Sequence, residues 1–116
     1  MSDLRLESLP FEHGGKVYTL RCNMNVLADV QEENGGDISP AFDWRRGMKT
    51  VLQFLAAMMN DWADLQGWPE RFTARSLGRV LRVEDVPMDK IIRLVLHAMT
   101  PPETANAEAS GEQPGN

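Results

Sequence analysis

Residues 44–65 read WRRGMKTVLQFLAAMMNDWADL and form the most strongly patterned stretch of the chain. Large apolar side chains recur in it at spacings of 4, 3, 4, 3, 4 and 3 residues, which predicts a helix with a heptad-like seam. The seam residues are Trp44, Met48, Val51, Leu55, Met58, Trp62 and Leu65. Further apolar residues, Met59 among them, widen the seam almost around the helix. Such a helix either lies at the centre of a core or presents one face to a partner.

The flanking residues predict where this helix begins and ends. Ser39 can cap a helix, and Pro40 behind it suits the first helical position, so we expect the helix to begin there. Gly67 followed by Pro69 predicts its end.

The segment before it predicts a β-hairpin. Gly14 and Gly15 form a two-residue turn signal, because glycine accepts the positive φ that hairpin turns need. Side chains alternate between the faces of a strand, so this turn places four apolar residues on one face. These are Leu9, Phe11, Tyr18 and Leu20, with Phe11 opposite Tyr18, Leu9 opposite Leu20, Glu12 opposite Val17 and His13 opposite Lys16. A lone hairpin is marginal in water, so we expect this face to pack on helices.

Three further helices are predicted from capping residues and apolar spacing. The first runs from about Asn25 to Asn34, is capped by Asn23 or Asn25 and ends at Gly35-Gly36, with Val26, Leu27 and Val30 buried. A short helix begins at Thr73 and runs to about Arg82, with Leu77, Val80 and Leu81 facing inward. The last opens at Asp85, Val86 and Pro87 and has the apolar stripe Met88, Ile91, Ile92, Val95, Leu96 and Met99.

Together these elements predict a mainly helical α+β fold, in which an N-terminal hairpin packs on about four helices. The chain has 116 residues, of which 42% are hydrophobic, and we expect one domain over residues 1–100. Residues 101–116 read PPETANAEASGEQPGN and contain no large apolar side chain, so they predict a disordered polar tail.

Composition also bears on partners and compartment. The net charge of −5 disfavours general nucleic-acid binding, which usually needs a basic surface. The longest apolar run, residues 54–59, is far shorter than a membrane-spanning helix. Cys22 is the only cysteine, which excludes an intrachain disulfide and fits a cytoplasmic location.

Residue patterns typical of catalysis are absent from the sequence. His13 and His97 lie far apart, Cys22 has no visible activating partner, and Asp61 and Asp64 are expected to be solvated helix charges. We therefore expect no enzyme activity, no metal and no cofactor.

Two features favour a binding role instead. Arg75, Arg79 and Arg82 recur at i, i+4 and i+7, which would place them on one face of the short helix. Several methionines lie on predicted helices, and flexible thioethers suit surfaces that repack around a partner. We name as candidate partner-binding residues Met48, Leu55, Met58, Met59, Trp62, Arg75, Arg79 and Arg82. Ordinary core filling and a solvated basic face are the alternatives.

The order of elements resembles a known family. The chain resembles the small tail assembly chaperones of long-tailed phages, prophages and gene transfer agents. The resemblance rests on three consecutive parts: a hairpin that continues through GGKVYTLRCNMNVLADVQEENGGDIS (residues 14–39), a long Met-rich helix, and FTARSLGRVLRVEDVPMDKIIRLVLHAM (residues 72–99). The resemblance covers about residues 9–100 and includes Leu27, the helix exit Glu32 to Gly35, and Thr73.

The resemblance implies a binding protein without chemistry. Members of the family hold the tape-measure protein before the tail tube polymerises around it, and a longer, frameshifted form recruits tube subunits. Expected partners are therefore the tape-measure protein, the tail tube protein and further copies of the chain, with no membrane and no nucleic acid, in the host cytoplasm. The alternatives are a small DNA-binding regulator with a helix-turn-helix-like pair in residues 73–99, and a structural tail component.

Overall fold

The computed structural model describes residues 7–42 and 47–99. Two strands, β1 (Leu9–His13) and β2 (Lys16–Leu20), precede four α-helices in this part of the chain. The helices are α1 (Met24–Glu33), α2 (Met48–Gln66), α3 (Ala74–Val80) and α4 (Met88–Ala98), with short 3-10 helices at Ser39–Phe42 and Val83–Asp85. The predicted α+β class is confirmed, whereas the predicted tail at 101–116 and the seam residue Trp44 lie outside the described residues.

The hairpin has the predicted register. β1 and β2 are antiparallel, with Phe11 opposite Tyr18 and Leu9 opposite Leu20. Gly14 and Gly15 have φ values of +59° and +79°, which a side chain would strain, so this turn fixes the pairing. Phe11, Tyr18 and Leu20 are buried and Leu9 is half-buried, which confirms the predicted apolar face.

Helix α2 is the centre of the molecule. The hairpin strand β2 and the helices α1, α3 and α4 all pack against it. Its buried residues extend around most of its circumference, as the broad apolar pattern predicts: Thr50, Val51, Gln53, Phe54, Leu55, Ala56, Ala57, Met58, Met59 and Ala63. The helix ends at Gly67, which is left-handed (φ +76°, ψ +22°), as predicted.

The predicted start of this helix at Ser39-Pro40 is wrong. Those residues open a separate 3-10 helix, and α2 begins only at Met48. Gly47 lies between them with φ +48° and ψ −104°, a backbone conformation that cannot continue an α-helix. The glycine therefore separates the two segments, although the apolar spacing runs through it.

Helix α1 is capped by Asn23. The Asn23 side-chain oxygen accepts a hydrogen bond from the Val26 backbone N–H at 3.0 Å, and the side-chain amide donates to Asp61 of α2 at 2.7 Å. One side chain thus both starts α1 and ties it to α2. Val26 and Val30 are buried as predicted, while Leu27 is only half-buried.

The predictions for α3 and α4 need corrections at their exposed faces. Leu77 is buried and Leu81 half-buried, but Val80 is 62% exposed because the backbone turns to an extended conformation at Leu81. In α4, Leu94 is buried, whereas Leu96 and Met99 are largely exposed. Helix α4 packs against the core through Ile91, Leu94 and Val95. Leu96 points about 100° away from Val95, so it lies outside this contact.

Within residues 7–42 and 47–99, the helices are too short or too polar to cross a membrane.

A candidate binding groove between α2 and α3

The predicted partner-binding residues divide between core and surface. Leu55, Met58 and Met59 are at most 1% exposed, so their prediction as accessible contact residues is corrected: they hold the core together. The hairpin and the three other α-helices cover this part of α2. Met48, at the start of α2, is 45% exposed. Trp62 is half-buried, with the Arg21 guanidinium 5.5 Å from its ring centroid.

The three predicted arginines do not form one stripe. Arg75 and Arg79 are exposed on α3, one helical turn apart. Arg82 lies beyond the end of α3, where its guanidinium pairs with Glu84 at 3.3 Å and Asp85 at 3.9 Å. Its backbone N–H also donates to Asp85 at 2.9 Å. Helix α3 ends at Val80, two residues before Arg82, so only Arg75 and Arg79 lie together on one helix face.

These two arginines line an open groove of about 650 Å³ between the first half of α2 and α3. The groove also includes the exit of α1, and its lining residues are Glu33, Lys49, Leu52, Gln53, Thr73, Ala74, Arg75, Gly78 and Arg79. Leu52, Ala74 and Gly78 give it apolar surface, and Lys49, Arg75 and Arg79 give it positive charge. An acidic side chain of a bound molecule would therefore contact these basic residues, and an apolar side chain would contact Leu52.

Two local structures position α3 along this groove. Asn60 of α2 forms a pair of hydrogen bonds with the Phe72 backbone: its amide donates to the carbonyl and its oxygen accepts from the N–H, both at 2.8 Å. Thr73 then starts α3 in a capping box, because its hydroxyl accepts from the Ser76 N–H and Ser76 Oγ accepts from the Thr73 N–H, both at 2.9 Å. The first turn of α3 is thereby fixed against α2.

Exposed apolar side chains also lie outside the lining of the groove, on α2, on α3 and after α3. Phe72 lies at Asn60 and Gly78 lies at Leu52, so α3 runs antiparallel to α2. Met48, one turn before Leu52 on α2, is exposed, and Val80 is exposed on the side of α3 that points away from Gly78. Val83 in the following 3-10 helix is exposed as well.

An acidic cavity of about 270 Å³ adjoins the groove and shares Glu33 with it. Asp29 and Glu32 of α1 also line it, together with Asn60 and Phe72. Burial raises the pKa of Asp29, and the charges of Glu32, Asp61 and Asp64 raise it further. The pKa of Glu33 is also raised, by burial and by the Asp29 charge, and the Lys49 charge offsets part of this rise. In the described part of the chain no cluster of side chains could hold a metal ion.

The other chemically active side chains connect elements of the fold. His97 Nδ1 lies 2.9 Å from a Glu7 carboxylate oxygen, and the His13 ring packs on Phe11 and Phe72. Asp61 accepts the hydrogen bond from Asn23, and Asp64 pairs with Arg71. Cys22 is buried, and burial raises the pKa of its thiol to about 11, so the unreactive thiol form dominates at neutral pH.

Sequence reasoning missed Lys49, Leu52 and the role of Gly78. The first two lie on a face of α2 that the apolar seam does not include, and only the packing of α3 reveals them as groove residues. Gly78 did carry a signal, because a glycine inside a helix weakens it by about 1 kcal/mol relative to alanine.

Comparison with known protein families, with curated proteins and with solved structures finds no match to this chain.

Proposed function

We propose that this chain is a tail assembly chaperone of the kind found in long-tailed phages, which binds the tape-measure protein and aids assembly of the tail tube. The observation that carries the proposal is the open groove between α2 and α3, which combines apolar surface with cations. The sequence supports the proposal through the family resemblance, which rests on the order of elements. That order is a hairpin followed by α1, the long α2, α3 and α4.

The proposed role is to cover apolar surface on an extended helical client. A tape-measure protein is long and helical, and it exposes apolar stripes until the tube surrounds it. A groove that offers Leu52 and Ala74 beside charged side chains fits an amphipathic helix better than a small substrate. Exposed Met48, one turn before Leu52 on α2, lengthens this surface, and its flexible thioether can adapt to varied client sequences.

Further parts of the proposal concern assembly and location. Exposed apolar side chains away from the groove, such as Met24 and Leu65, suit contacts with further copies of the chain or with tail tube subunits. The protein would act in the host cytoplasm, where tails assemble.

The alternative of a DNA-binding regulator with a helix pair in residues 73–99 has less support. Arg82 is paired with Glu84 and Asp85, whose negative charges offset its own. Arg75 and Arg79 line a groove that also contains Glu33, and an acidic cavity adjoins it. A DNA backbone would also leave Leu52, the apolar side chain of the groove, without a contact.

Co-expression with the tape-measure protein from the same tail gene cluster tests the proposal. The chain should raise the soluble fraction of that protein severalfold and co-purify with it at moderate salt. The Arg93→Glu variant, which changes an exposed residue of α4 outside the groove, should do the same. A client that is no more soluble with the chain than without it would contradict the proposal, and so would a gel shift with duplex DNA at physiological salt.

A further inference from the structure

We propose that the groove between α2 and α3 binds an acidic amphipathic helix of the partner, with an apolar side chain against Leu52 and Gly78 and carboxylates on Arg75 and Arg79. This inference deepens the proposed function and rests on it for the identity of the partner as the tape-measure protein. The chemistry of the bound segment follows from the groove residues alone.

Gly78 is the first observation that supports the inference. It lies inside α3, and its backbone does not have the positive φ that would require glycine. A Cβ at this position would meet Leu52 Cδ1 at 3.6 Å, which is an ordinary van der Waals contact. Alanine would therefore fit the fold and favour the helix. The missing side chain leaves the apolar floor of the groove open, which a closely packed partner helix would need.

The charges of the groove are the second observation. In the described part of the chain, Arg75 and Arg79 form no ion pair, whereas Lys16 and Arg71 do. Lys49 adds a third positive charge on the opposite wall, against the single carboxylate of Glu33. An occupant with negative charge would complement these residues.

The spacing of the two arginines indicates the form of the occupant. They stand four residues apart on one helix, so their Cα atoms lie about 6 Å apart along the helix axis. Carboxylates four residues apart on a second helix have the same separation, and an apolar residue between them would face Gly78. A nucleic acid would offer phosphates at a comparable distance, but it would place no apolar group on Leu52.

The probe for this inference is a synthetic helical peptide of about 20 residues, long enough to be substantially helical, with Glu pairs at i and i+4 around Leu. Its counterpart carries Lys in place of every Glu. Isothermal titration calorimetry with the full chain at 150 mM salt measures binding, and we expect affinity for the Glu peptide only. The same titration with a short DNA duplex should show no heat of binding.

Variants of the chain locate the site. Arg75→Glu with Arg79→Glu should weaken binding of the Glu peptide by about tenfold or more. Gly78→Leu should weaken it similarly by filling the floor. Gly78→Ala should raise the thermal midpoint by a few degrees, as expected for a better helix former, yet still weaken binding severalfold. The control Arg93→Glu makes the same charge reversal on α4, and it should change affinity less than twofold.

The outcomes separate this inference from the proposed function. If the peptide binds and the groove variants abolish binding, but the wild-type chain does not make the tape-measure protein soluble, the groove assignment stands and the proposed function fails. If the wild-type chain and all groove variants make that protein equally soluble, the function stands and the groove assignment fails. Equal binding of the Glu and Lys peptides, or tighter binding of DNA through Arg75 and Arg79, would also overturn the inference.

Discussion

Replacement of Leu55 by alanine should lower the free energy of unfolding by about 2–5 kcal/mol. Leu55 is fully buried in α2, at the point where the hairpin and the other helices cover it. The change removes three carbon atoms, and at about 0.8 kcal/mol for each buried methylene the transfer contribution alone is about 2.4 kcal/mol. The cavity that remains adds to this, because neighbouring side chains relax only in part.

Urea unfolding followed by circular dichroism measures the effect, with Leu65→Ala as the matched control. Leu65 lies on the same helix but is 60% exposed, so its truncation should change stability by less than about 0.5 kcal/mol. The Leu55 variant should unfold about 10–25 °C lower in a thermal scan. A loss below about 0.5 kcal/mol for Leu55→Ala would refute the burial of this face and restore it as a candidate partner surface.

Three further predictions follow from side chains outside the apolar core. Asn60→Ala should destabilise the chain by about 1–3 kcal/mol in urea unfolding, because both Phe72 backbone groups lose a partner; an unchanged midpoint would refute the role of this pair. Cys22 should react with a thiol reagent only upon unfolding, so a burst of labelling in the native state would contradict its burial. The pKa of Asp29 is raised, so its charged form opposes folding; Asp29→Asn should therefore stabilise slightly at pH 7, and this gain should vanish as pH falls below the ordinary aspartate value. A gain in stability that grew toward acid pH would contradict that sign.

The hairpin and the central helix could be predicted because short-range signals determine them. Gly14 and Gly15 fix a turn, and the turn fixes every cross-strand pair. The apolar spacing of α2 identified Leu55 and Met58 as one continuous stripe, and both are buried. What the spacing could not decide was whether that stripe faces a core or a partner, because the answer depends on how much of α2 the other elements cover.

The errors arose where backbone geometry or packing overrides periodicity. Gly47 interrupts the region before α2, although the apolar spacing passes through it. Val80 is exposed because α3 stops before its apolar pattern does, and that stop separates Arg82 from the other two arginines. The hydrogen bonds between Asn60 and Phe72 join residues twelve positions apart, and no local pattern indicates them.

The groove between α2 and α3 is proposed to bind a helical client. The most direct test is an NMR titration of the isotope-labelled chain with a helical segment of the tape-measure protein. Binding in the groove should cause saturable shifts of the amide signals of Lys49, Leu52, Arg75, Gly78 and Arg79, with the exposed face of α4 around Lys90 and Arg93 unchanged. A titration that leaves the groove signals unmoved at millimolar client, or that moves only α4, would contradict it.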